Sequence, residues 1–109
     1  MDYTFEHHYN EGEKCWMIAL TGEIDIFNSE KVKSDLIGLI NTTAADLRID
    51  CQDLEYIDST ALGVLVAVLK NVKAYDGAIY LVNVRPNLAK LFKITNLDKA
   101  FILEADTND

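Results

Sequence analysis

Hydrophobic and polar positions along this chain switch between a period of two and a period near 3.6. Residues 3–7 read as a short strand with weak patterning, and Glu11-Gly12-Glu13 reads as a turn. The next run should therefore return antiparallel, as a hairpin. Residues 15–21, CWMIALT, are apolar almost without interruption, as expected of a central strand. Residues 22–28 should leave the sheet. Ser29 is placed to cap a helix in which Val32, Leu36, Leu39 and Ile40 recur at helical spacing. Asn41-Thr42-Thr43 ends it. Leu47, Ile49 and Cys51 alternate with Arg48 and Asp50, the pattern of a strand with one wetter face. Residues 53–57 read as a loop. A second helix should start near Ser59 or Thr60 and run to about Tyr75. Its first turns, ALGVLVAVL, are apolar nearly all round, which predicts burial against the sheet. Asp76-Gly77 stops it, with Gly77 suited to a left-handed conformation. Residues 78–83 form another strand. Pro86 opens a short helix, where its missing N–H costs nothing. Leu88, Leu91, Phe92 and, at its end, Ile94 are expected to give that helix its apolar face. Residues 101–103 make a last strand before an acidic tail, which should fray.

Strands that alternate with helices predict an α/β chain with a mixed, mostly parallel sheet of four to five strands and three or four helices. The first hairpin supplies an antiparallel edge. Residues 1–109 show no repeat, linker or low-complexity stretch, so a single domain is expected.

The formal charge of −8 narrows the partners. A surface this acidic repels phosphate backbones and anionic lipid heads, so neither a nucleic acid nor a membrane surface is expected. It suits a partner with a basic face, and it equally suits a surface that only aids solubility. The N-terminal residues lack a basic start followed by an apolar run, and the apolar stretch 61–69 is too short to span a bilayer. A cytoplasmic protein is expected. Cys15 and Cys51 each lie within a strand-like run and read as reduced core residues.

Motifs for catalysis are missing. There is no GxGxxG and no P-loop, hence no nucleotide cradle. His7 and His8 are adjacent and cannot share one strand face, and no Cys, Asp or Glu pattern completes a metal site. Neither a nucleophile elbow nor a CxxC occurs. Glu23 and Asp25 are a possible acid–base pair on residue type alone, but nothing places a substrate between them. A non-enzymatic binding module without a cofactor is the expectation.

The informative segment is residues 56–70, YIDSTALGVLVAVLK, where an acid and two hydroxyls precede an apolar helix. Asp58 or Ser59 should be the N-cap. The positive end of the helix dipole favours negative charge there. A phosphate on Ser59 would bring about −1.5 to −2 charges to that end. Free N–H groups could partly bind it, while Asp58 would oppose it. The plain alternative is that these residues only cap the helix, since capping pairs are common. Gly63, one turn in, costs roughly 1 kcal/mol relative to Ala. Its presence points to close approach by a partner or by another part of the chain.

The run Asp58-Ser59-Thr60-Ala61-Leu62-Gly63 resembles the signature of STAS domains, in particular the bacterial anti-sigma-factor antagonists. Leu20-Thr21-Gly22-Glu23-Ile24-Asp25 resembles their first signature. Leu47-Arg48-Ile49-Asp50 and Asn83-Val84-Arg85-Pro86, followed by Leu91-Phe92 and Asn96-Leu97, match in place and type. The resemblance spans nearly the whole chain. It implies a sheet with helices packed mainly on one face. A monomer is expected. The resemblance implies a regulator whose unphosphorylated form binds an anti-sigma factor that is also a serine kinase, and so frees a sigma factor. Phosphorylation of Ser59 would switch binding off, and a metal-dependent serine phosphatase would reset it. Asp25, Asp58, Ser59, Thr60, Ala61 and Gly63 would form the partner-binding surface. Ala61 stands where such antagonists typically carry Gly. STAS domains also serve as scaffolds or sensors, so a nucleotide- or lipid-binding domain without phosphorylation is the alternative.

Overall fold

The computed structural model describes residues 2–105. In chain order the elements are β1 (Tyr3–Asn10), β2 (Cys15–Ile24), α1 (Ser29–Thr42), β3 (Asp46–Asp50), β4 (Leu54–Ile57), α2 (Ser59–Lys73), β5 (Ile79–Val84), α3 (Pro86–Ile94), a 3-10 turn (Leu97–Lys99) and β6 (Ile102–Ala105). The sheet runs β1-β2-β3-β5-β6, and β4 pairs with β2 off that path. β1 and β2 are antiparallel, and every other pairing is parallel.

The pleat decides which face is covered. Trp16 pairs with Leu47 and Ile18 with Ile49, while Leu47 and Ile49 pair with Ile79 and Leu81. All seven of Trp16, Ile18, Leu20, Leu47, Ile49, Ile79 and Leu81 are buried. They form one cluster with Val32 and Leu36 of α1, Leu65 and Val68 of α2, and Leu88 and Phe92 of α3. The three helices therefore cover one face of the sheet. The alternate residues Met17, Ala19, Arg48, Asp50, Tyr80 and Val82 lie on the opposite, half-exposed face. There Arg48 pairs with Glu104 at 2.8 Å and its guanidinium sits 5.8 Å from the Tyr80 ring centroid.

Seven expectations need correction. Ile94, expected on the apolar face of α3, is 70% exposed. β1 is eight residues long, because its pairing continues through to Asn10 opposite Cys15. Residues 22–24 stay in the sheet, and residues 54–57 are a strand instead of a loop. β2 has ten residues against five in β3, so its second half is left for β4 to pair. The burial order in β4 is buried, exposed, exposed, buried, which hides the alternation that normally reveals a strand. The sheet thus has six strands. Ser29 does not cap α1: Asn28 holds the cap position, and Ser29 is the first helical residue, fully buried. At the end of α2 the left-handed residue is Asp76, with φ 63°, not Gly77. Gly77 is needed for space, since a Cβ there would lie 2.7 Å from the Tyr75 ring and 2.8 Å from Val72. Finally, Glu104 and Ala105 belong to β6 and not to a frayed tail. Residues 106–109 lie outside the described residues.

Candidate functional site

The parallel strands β2 and β4 end side by side, and each delivers its chain into a helix. Glu23 pairs with Tyr56 and Ile24 with Ile57, after a register shift at Gly22. Gly22 has φ +89°, and a Cβ on it would run into the Asp2 carbonyl oxygen. This position therefore requires glycine. Past Ile24 the chain turns within residues 25–28. Asp25 Oδ1 accepts the N–H groups of Phe27 (2.9 Å) and Asn28 (3.2 Å). Asn28 Oδ1 accepts the Asp25 N–H at 2.9 Å, and its Nδ2 donates to the Glu23 carbonyl at 2.9 Å.

Past Ile57 the chain enters α2, and here Asp58 is the cap. Its backbone is extended, and its Oδ1 accepts the Ala61 N–H at 2.9 Å. Its Oδ2 accepts the Ile26 N–H, also at 2.9 Å. The Asp58 N–H donates to the Ile24 carbonyl at 3.2 Å. One carboxylate thus fixes the start of α2 and ties it to the turn after β2.

The choice of Asp58 as cap leaves Ser59 as the first residue of α2, exposed, with Thr60 exposed beside it. The Ser59 and Thr60 amides belong to the first turn and have no intrahelical acceptor, so the helix end retains donors for an anion. Gly63 is exposed four residues on, and beyond its own helix backbone no described residue lies within 4 Å of where its Cβ would be. Among the described residues, no packing contact accounts for this glycine. Ala61, expected on the partner surface, is fully buried and faces the core instead. Asp25 lies in the turn whose Ile26 amide is held by Asp58, the residue before Ser59, and the Asp58 carboxylate and Asp25 Oδ1 are engaged by the chain's own amides.

Two residues of this end escaped the sequence reading. Ile26 is 62% and Phe27 92% exposed, at the tip between β2 and α1. A signal was present at Phe27, which breaks the alternation of Ile24 and Ile26 with Glu23 and Asp25 and falls outside the apolar spacing of α1; Ile26 itself continues the strand's period and so read as one more core position. The other chemical candidates stay apart from this end or are inert. Burial, with the charge of Asp50 adding to it, pushes the Cys51 thiol up to about 12. Cys15 and Cys51 are both buried and free. Among the described residues no group of His, Cys, Asp and Glu could hold a metal. No helix among them is long and apolar enough to cross a membrane. The open sheet face carries a hollow of about 420 Å³ lined in part by Glu6, His8, Arg48 and Asp50. Its one guanidinium already pairs with Glu104, so two carboxylates face any nucleotide phosphate entering there.

The STAS domain model matches residues 8–109. The chain belongs to the STAS family. Among relatives, the anti-sigma-B factor antagonist of Bacillus subtilis is 38% identical over 87 residues, covering 80% of this chain and 79% of that one. An anti-sigma factor antagonist of Mycobacterium paratuberculosis shares the fold, with TM-score 0.79, 22% identity, and coverage of 99% of this chain and 90% of that one. SpoIIAA, an anti-sigma factor antagonist, matches in two states. Its unphosphorylated form gives a TM-score of 0.68 at 23% identity, covering 84% of this chain and 83% of that one. The phosphorylated form, from Bacillus, gives 0.71 at 20% identity, covering 94% and 93%. The STAS architecture expected from the sequence, with its mostly parallel sheet, is the one observed.

Proposed function

We propose that this STAS protein is an anti-sigma-factor antagonist, acting in the cytoplasm as a non-enzymatic switch. Its unphosphorylated form binds an anti-sigma factor that is also a serine kinase, and a sigma factor is thereby released. The observation that carries the reading is the division of labour at the tip of α2. Asp58 caps the helix, so the exposed Ser59 hydroxyl is not needed for the fold. The name of the 38% identical Bacillus relative supports the same reading.

In the proposed switch, Ser59 Oγ attacks the γ-phosphorus of ATP held by the kinase. The new O–P bond forms as the bond to ADP breaks, and the hydroxyl proton passes to a base on the kinase. The product adds about −1.5 to −2 charges beside the Asp58 carboxylate. The unpaired amides of the first turn can take part of that charge, so the helix persists. A partner surface fitted to a neutral hydroxyl would instead have to desolvate a dianion, and binding is lost. A metal-dependent serine phosphatase restores the hydroxyl with water. The similarity of the fold to both the phosphorylated and the unphosphorylated SpoIIAA structures agrees with a switch that leaves the architecture standing.

The test is incubation with the host's anti-sigma serine kinase and ATP, read by intact mass and by peptide mapping. One added phosphate on Ser59, absent from Ser59→Ala, is expected. The reading is falsified if the phosphate lands elsewhere or if Ser59→Ala still accepts it.

A further inference from the structure

Large apolar side chains are left in water at only a few places on the described chain: Ile26, Phe27, Tyr56, Ile94 and Ile102. Three of these five belong to the end that carries Ser59. Ile26 and Phe27 are on the turn whose amide is held by Asp58, and Tyr56 pairs with Glu23 on the strand leading into α2. Phe27 is the most exposed of the five, at 92%. Such a cluster beside a site of action marks a protein contact.

The turn that presents Phe27 is held on every side. Its own N–H is taken by Asp25 Oδ1, that of Ile26 by Asp58 Oδ2, and that of Asn28 by Asp25 Oδ1. A ring carried on a main chain already fixed loses little freedom on docking, which is the property of an interface anchor.

The charge around it selects the occupant. Residues 22–30 hold three carboxylates (Glu23, Asp25, Glu30) and residues 50–63 hold four (Asp50, Asp53, Glu55, Asp58), and neither segment contains lysine or arginine. A second copy docking through the same patch would set this acidic rim against itself. A pocket with an apolar floor and a basic rim complements it.

We infer that Phe27 is the apolar anchor for the serine kinase that acts on Ser59, seated in an apolar, basic-rimmed pocket of that enzyme beside its active site. This rests on the switch proposed for Ser59. It adds a residue that determines how tightly the neutral form is gripped, and it accounts for an exposed Gly63 as the place where the kinase surface comes close to α2.

Calorimetric titration of the purified kinase with the wild-type chain, Phe27→Ala and Phe27→Leu tests it, with sedimentation velocity on each chain alone. Phe27→Ala should weaken binding about 30-fold, the scale of a buried aromatic anchor, while Phe27→Leu keeps most of the affinity. All three should melt together, because the ring touches little of its own chain. Raising the salt should weaken the wild-type complex. Phe27→Ala binding within twofold of wild type would overturn the anchor and leave the Ser59 switch standing. A wild-type chain that the kinase neither binds nor phosphorylates would sink the switch, and the anchor with it. Self-association of the wild type, abolished in Phe27→Ala, would assign the patch to a second copy and overturn the proposal.

Discussion

At the residue scale Asp58 joins the start of α2 to the turn after β2. Both of its oxygens are spent within the chain, one on the Ala61 amide and one on the Ile26 amide. Asp58→Ala should therefore cost about 1–2 kcal/mol from the cap alone, with a further loss from the freed Ile26 amide. Asp58→Asn keeps one acceptor oxygen and should cost less. Urea unfolding of the two variants against wild type gives the comparison, and equal stabilities for all three would remove Asp58 from this role. Ser59→Ala, at an exposed position beside a cap it does not make, should stay within about 0.5 kcal/mol of wild type. The sequence left Asp58 and Ser59 as equal candidates for the cap. They are adjacent, both are good caps, and only the backbone path out of β4 decides between them. Ala61 was legible as part of a motif and not as a side chain: its methyl faces the core, which a motif match cannot reveal.

At the scale of elements, the two helical glycines make a controlled pair. Gly38 in α1 and Gly63 in α2 are both exposed, and beyond its own helix backbone neither has an atom of a described residue within 4 Å of a would-be Cβ. Each replacement by alanine should stabilise the fold by roughly 0.5–1 kcal/mol. Thermal melts should show both variants above wild type. Only Gly63→Ala should also weaken kinase binding, because only Gly63 lies on the face that carries Ser59. An unchanged melting temperature for Gly38→Ala would show that helix propensity is not what limits these positions. Elements with a clean period were readable in advance. The core stripe Val32, Leu36, Leu39 and Ile40 of α1 is buried as the spacing requires, and Pro86 opens α3. β4 was not readable, because four residues with only their ends buried carry no period. Its existence follows from the length of β2, a relation between elements that no local pattern contains.

At the scale of the whole molecule, one sheet face is covered by three helices and the other is open, and the switch sits at one end of that sandwich. The same burial that makes the core makes the fold sensitive to alkali. Cys51 holds its proton up to about 12 through burial, against an ordinary value of 9.0. Tyr3, partly buried and donating to Asp35 Oδ2 at 2.8 Å, is likewise raised to about 12 from 10.0. Well below pH 9 these protons are bound in folded and unfolded chains alike. Above it the unfolded chain releases them first, so stability falls as pH climbs from 9 towards 12. Melting temperatures between pH 8 and 11 should decline, and Tyr3→Phe should show a shallower decline above pH 10. No decline would mean that these groups are as hydrated in the fold as out of it. The fold class was legible in the alternation of strand and helix, and the Ser59 end was legible in its motif. The Ile26–Phe27 tip was not, because a turn's exposure depends on the hydrogen bonds that hold it away from the core. The most direct test of the central claim takes a chain stoichiometrically phosphorylated on Ser59 and compares its melting temperature and its kinase affinity with those of the unmodified chain. The phosphorylated chain should melt within a few degrees of the unmodified one and bind the kinase at least two orders of magnitude more weakly, on the order of what desolvating a misplaced charge costs. Undiminished binding by the phosphorylated chain would contradict the claim.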